Sequence, residues 1–130
     1  MKDKQNKTYI QPFEDCLKTQ LKSEEFWSAN AFKVTVGTNT PCGGDAGHGG
    51  KTLFRLQNLA GTDWNILVDG EGVIGPDELT IILGGDCEAN TFADSLIFAG
   101  KTLKKQIREN KWNELCSRVF ALEERIGMEE

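Results

Sequence analysis

The residues best suited to chemistry lie in one segment, Pro41-Cys42-Gly43-Gly44-Asp45-Ala46-Gly47-His48-Gly49-Gly50-Lys51-Thr52, where five of the chain's 14 glycines fall within eight positions. Glycine supports backbone conformations closed to other residues, so such a loop can turn several N–H groups toward one anion. His48 is the only histidine, and its place inside the glycine run makes it an exposed imidazole, able in principle to accept a proton or bind a metal. Gly43-Gly44-Asp45 is echoed by Gly84-Gly85-Asp86, with Cys42 before the first copy and Cys87 after the second. Were the two turns to share one sheet edge, Asp45, Asp86, His48 and Glu88 would converge on one pocket rim, a donor set for a divalent cation. The plainer reading of Asp86 and Glu88 is that they favour the positive end of a following helix.

The end of the loop, Gly50-Lys51-Thr52, resembles the phosphate-binding loop of nucleotide hydrolases, but the match fails on two counts. Asp45 stands where the leading glycine should be, and the residues after Thr52 read as a strand where that motif requires a helix N-terminus. No set of residues specifies a reaction, so no catalytic residue, metal ligand or cofactor is assigned. The expected ligand site is Gly43, Gly44, Asp45, Gly47, His48, Gly49, Gly50 and Lys51, with Arg55, Asp86 and Arg108 near it.

A second cationic feature is the row Lys101, Lys104, Lys105, Arg108 and Lys111, which falls along one side of a helix, opposite Phe92, Leu96, Ala99, Leu103 and Ile107. Most solvated helix faces mix signs; this one has five cations without an interleaved acid. The net charge of −5 is unevenly spread, with eight acids and no base between residues 61 and 100. A surface of that kind repels a polyanion, which disfavours general nucleic-acid binding. It could instead dock a basic protein.

These features need elements to position them. The 130 residues, 38% of them hydrophobic and 27% charged, are enough for one core. A polar tail over 1–8 precedes a single domain over 9–130. Pro12, Glu14 and Asp15, then Phe13, Leu17 and Leu21 at i, i+4, i+8, predict an N-terminal helix ending near Phe26 to Asn30. Alternation predicts strands at Phe32–Gly37, Thr52–Leu59, Asp63–Asp69 and Glu78–Leu83, joined by links too short for helical crossovers. Thr91 and Asp94 have capping-box spacing, and a change in the apolar stripe to Leu115, Val119, Leu122 and Ile126 predicts a further helix from about 111–113, with Trp112 between the two. The expected fold is α+β: an N-terminal helix, a four-stranded mainly antiparallel meander, and two C-terminal helices on one face.

Four cysteines without a Cys-x-x-Cys pair read as reduced thiols, and neither a signal peptide nor a long apolar run is present. The expected location is cytoplasmic, with no membrane partner. The leading functional expectation is a non-enzymatic protein, homo-oligomeric, that captures a small anionic, nucleotide-like ligand. An acidic interaction module or inhibitor of the kind accessory to a phage or mobile element is the alternative. A metal-dependent hydrolase using Asp45, His48 and Asp86 ranks third.

Overall fold

The structure, a computed structural model, describes Leu17 and residues 20–129, with side chains as far as residue 119 except at position 117. Among the described residues there are six strands: β1 (Lys22–Trp27), β2 (Ala31–Thr38), β3 (Lys51–Ala60), β4 (Asn65–Val68), β5 (Glu71–Ile74) and β6 (Glu78–Gly84). They are followed by one helix, α1 (Asp86–Glu129), of 44 residues. The chain forms two compact units that meet in sequence at Thr91 and Phe92.

In the first unit β1, β2, β3 and β6 form an antiparallel sheet in the order β1-β2-β3-β6. β4 and β5 form a separate two-stranded sheet, closed by Asp69 and Gly70, both at positive φ, as Asp-Gly in a tight hairpin requires. The register places Gly37, Leu53 and Ile82 side by side on one face, where Leu53 is fully buried against Leu17, Leu21 and Ile82. The other face carries Val34 and Val36, Phe54 and Leu56, then Leu79, Ile81 and Leu83. These alternate as a half-buried sheet should, and all of them retain solvent exposure.

Three expectations about architecture are corrected. The N-terminal helix does not extend to Phe26, because Lys22–Trp27 pairs along its whole length with β2, from Lys22 opposite Val36 to Trp27 opposite Ala31. Period-2 pairing with a neighbouring edge outweighs the helical propensity of Lys-Ser-Glu-Glu. The helix start at Pro12 and the tail over 1–8 lie outside the described residues. The sheet is not a four-stranded meander, since β4 leaves it for β5, which alternation missed because Glu71-Gly72-Val73-Ile74 is short and contains a glycine. The two C-terminal helices are one. The stripe changes side at about residue 110, yet no Gly or Pro lies between Lys101 and Ile126 to break the backbone ladder.

Candidate functional site

The glycine-rich loop closes against the start of α1. Gly47 N–H donates to Gly84 O at 2.7 Å, Gly85 N–H to Gly50 O at 2.8 Å, and Asp86 N–H to Gly44 O at 2.9 Å. The two Gly-Gly-Asp turns therefore do meet, and each aspartate serves the other's turn. The Asp86 carboxylate accepts from the N–H groups of Cys42 (3.0 and 3.1 Å to its two oxygens), Gly43 (2.7 Å) and Gly50 (2.8 Å). Asp45 Oδ1 accepts from Cys87 N–H at 2.8 Å. The first N–H groups of a helix have no partner within it, and Gly85, at the cap position, has no side chain to offer one. Asp45 supplies the missing capping oxygen from 40 residues away in sequence.

Glu88 completes the clasp. Its Oε1 accepts from Ala46 N–H at 2.9 Å, while Oε2 is shielded from solvent without a hydrogen-bond partner among the described residues. Gly85 must be glycine here: its φ is +135°, and a Cβ would overlap the Glu88 carboxylate. Gly50 is buried, and a Cβ there would strike Thr40 and crowd Asp86 Oδ1 at 2.9 Å. Lys51 turns its Nζ onto Gly47 O at 3.1 Å and its N–H onto Asn39 Oδ1 at 2.6 Å.

The electrostatics follow from these contacts. The N–H groups of Gly50, Cys42 and Gly43, in that order of effect, hold the Asp86 carboxyl below its ordinary range. Cys87 is shifted the other way: contact with the Asp45 carboxylate and its negative charge push the thiol up, with Glu88 and Asp86 adding to the effect. Cys87 is thus held as a thiol, without the cationic surroundings that make a cysteine reactive.

The other expected site residues fare unequally. His48 is exposed on the turn, with its N–H on Asp45 O at 3.1 Å. It does not join the carboxylates, and among the described residues no group of three or more His, Cys, Asp or Glu is placed to hold a metal ion. Arg55 lies four residues along β3 from Lys51, about 13 Å at the rise of a strand. Its Nε donates to Thr80 Oγ1 at 3.1 Å and lies 3.9 Å from Glu78 Oε2. Arg108 belongs to the second unit, as do the other cations of its row, all exposed. Trp112, expected between two helices, is 68% exposed. Sequence reasoning missed Asn39 and the clasping role of Glu88; the fixed offset of 41 residues between the two Gly-Gly-Asp copies was the available signal for pairing.

Comparison with models of known protein families, with curated proteins and with solved structures finds no match. No helix among the described residues is long and apolar enough to cross a membrane.

Proposed function

We propose that the chain is a non-enzymatic binding protein that captures a small, phosphate-bearing anion on the cationic side of α1. The observation that carries the reading is the row Lys101, Lys104, Lys105, Arg108 and Lys111, exposed along adjacent turns of one helix. Lys105 lies 3.8 Å from Glu109, a pair of exposed groups that holds the ammonium only weakly. Cations on adjacent turns can engage separate oxygens of one phosphate, and Arg108 can do so in bidentate fashion.

The glycine loop takes no part in this reading. Its amides at Cys42, Gly43 and Gly50 are engaged by Asp86, so an incoming anion would have to displace one carboxylate and approach two more, Asp45 and Glu88. The binding assignment made on sequence for Gly43 to Gly50 is therefore narrowed to the helix, Arg108 included. Calorimetric titration with nucleotides, cyclic nucleotides and inorganic phosphate tests the proposal. Binding of at least one ligand, weakened about tenfold or more in the Lys104→Glu, Arg108→Glu double variant and unchanged in His48→Ala, is expected. No heat from any of them overturns it.

A second reading has its own observation. Leu67, Val68, Val73 and Ile74 of the β4–β5 hairpin are exposed, Ile74 by 88%, and Asp63, Asp69, Glu71, Asp77 and Glu78 lie on the hairpin or its flanks. An apolar tip with an acidic rim suits docking on a basic protein. Capture of a basic protein that disappears when Asp69, Asp77 and Glu78 are changed to Lys supports this reading, and equal capture removes it.

A further inference from the structure

The four-stranded sheet ends in two edges of different character, β1 on one side and β6 on the other. The hydrogen bonds just beyond the strand ends fix which backbone groups of β6 face outward. Asn58 N–H donates to Asp77 O and Gly85 N–H to Gly50 O, each at 2.8 Å. In β6 the odd-numbered residues therefore turn their N–H and C=O toward β3, and by the alternation of an antiparallel ladder the even-numbered ones turn them away. Gly84 belongs to the outward set, and its C=O is taken by Gly47 N–H at 2.7 Å. Glu78, Thr80 and Ile82 present their N–H and C=O along the rest of the edge, and among the described residues none of these groups meets a backbone partner. At the opposite edge β1 carries Lys22, Glu24 and Glu25 within six residues, the kind of charge that keeps an edge from pairing. From Leu79 to Leu83, β6 is uncharged and rich in β-branched residues, and such an edge is a template for another strand.

We propose that β6 pairs with β6 of a second copy of the chain, antiparallel about a twofold axis at Thr80. The glycine loop fixes the register. It closes the edge at Gly84 and leaves Glu78, Thr80 and Ile82, and the antiparallel arrangement that uses all three on both chains sets Thr80 opposite Thr80 and Glu78 opposite Ile82. Each of these facing pairs exchanges two N–H···O bonds. On one face Leu79 lies opposite Ile81 of the second copy, so the apolar rows through Phe54 with Ile81 and Leu56 with Leu79 run on across the seam. On the other face Glu78 comes level with Ile82 of the second copy, between the ladder positions of Arg55 and Lys51, which stand opposite Thr80 and Gly84. The acid of one chain thus approaches the side on which the other carries two cations, whereas a parallel pair in register would set Glu78 beside Glu78. The edge is complementary to itself in length, apolar pairing and charge, which selects a second copy over an unrelated strand. The contact is isologous, so it closes at a dimer. It lies in the first unit and needs no ligand, and so stands apart from anion capture on α1.

Sedimentation of the full chain is expected to give a dimer at high micromolar concentration and a monomer on dilution. Thr80→Pro removes an N–H that faces away from β3 and spares the β3–β6 ladder; it is expected to run at half the mass of wild type with the strand signal of its circular dichroism intact. Thr80→Val loses the hydroxyl that accepts from Arg55 Nε but keeps the N–H, and is expected to remain dimeric. Register is read by cysteine pairing in a background with the native cysteines changed to serine. Facing residues of a hydrogen-bonded pair lie about 5.5 Å apart, within disulfide reach, so mild oxidation of Thr80→Cys should link two copies. Glu78 and its counterpart are offset by four residues along the strands, about 13 Å, and Glu78→Cys should not link. A monomeric wild type, a dimeric Thr80→Pro, a monomeric Thr80→Val, or faster linking of Glu78→Cys than of Thr80→Cys each overturns the proposal. Should Thr80→Pro fail to fold, the two cysteine variants decide.

Discussion

The loop clasp and the helix beyond Thr91 solve opposite problems. At the clasp the polar groups find partners inside the chain: three amides on Asp86, one on Asp45, one on Glu88, and carbonyls of Gly44, Gly50 and Gly84 on amides of the facing turn. Along α1 from Phe92 to Val119, aliphatic side chains and cations are exposed in the single chain. The glycine-rich segment looked like the working surface because glycines free the backbone to bind an anion. The anion turns out to be the chain's own, brought by Asp86. The helix stood out in sequence by its row of five cations, and those cations are exposed.

The contrast can be tested most strongly through packing. Leu53→Ala is expected to lose about 2–5 kcal/mol in chemical denaturation, because Leu53 is fully buried and its removal leaves a cavity beside Leu17, Leu21 and Ile82. Leu115→Ala in dilute protein is expected to stay within about 0.5 kcal/mol, as a surface change does. Comparable losses would abolish the distinction between the two regions.

A smaller effect isolates the clasp. Asp86→Asn should speed amide exchange at Gly43 and Gly50 and leave α1 beyond Thr91 unaffected. Because the folded state holds Asp86 below its ordinary 3.8, it favours the carboxylate. The stability so contributed is complete above that value and is lost as pH falls through the lower folded one. Acid titration followed by circular dichroism should show wild type losing more stability below 3.8 than Asp86→Asn does; parallel curves would show that the clasp does not depend on this charge. The smallest effect concerns Cys87. Asp45→Asn removes the charge that keeps its thiol protonated, so labelling of Cys87 by a thiol reagent at pH 8 should quicken severalfold. An unchanged rate would place the control elsewhere than Asp45.

Much of the sheet could be read from alternation, because one apolar face imposes period 2: Phe32, Val34 and Val36, or Leu79, Ile81 and Leu83, cannot share a face in any other way. The segment Lys22–Trp27 could not, since its strand state depends on β2 beside it and not on its own pattern. The helix start at Asp86 was hidden as well. Its cap is Asp45, remote in sequence, while Thr91 and Asp94 imitated a local one. The change of stripe near residue 110 was legible, but periodicity records which side faces a partner and not whether the backbone breaks.

The sequence by itself determined the strand faces, the cationic row, the acidic run and the repetition of Gly-Gly-Asp, all properties of local order and spacing. Only the tertiary structure decided that the repeated turns lock onto each other. Three flexible-backbone amides will take whichever carboxylate the fold brings nearest, and the pairing of β3 with β6 brings Asp86. That placement fills the glycine-rich loop from within.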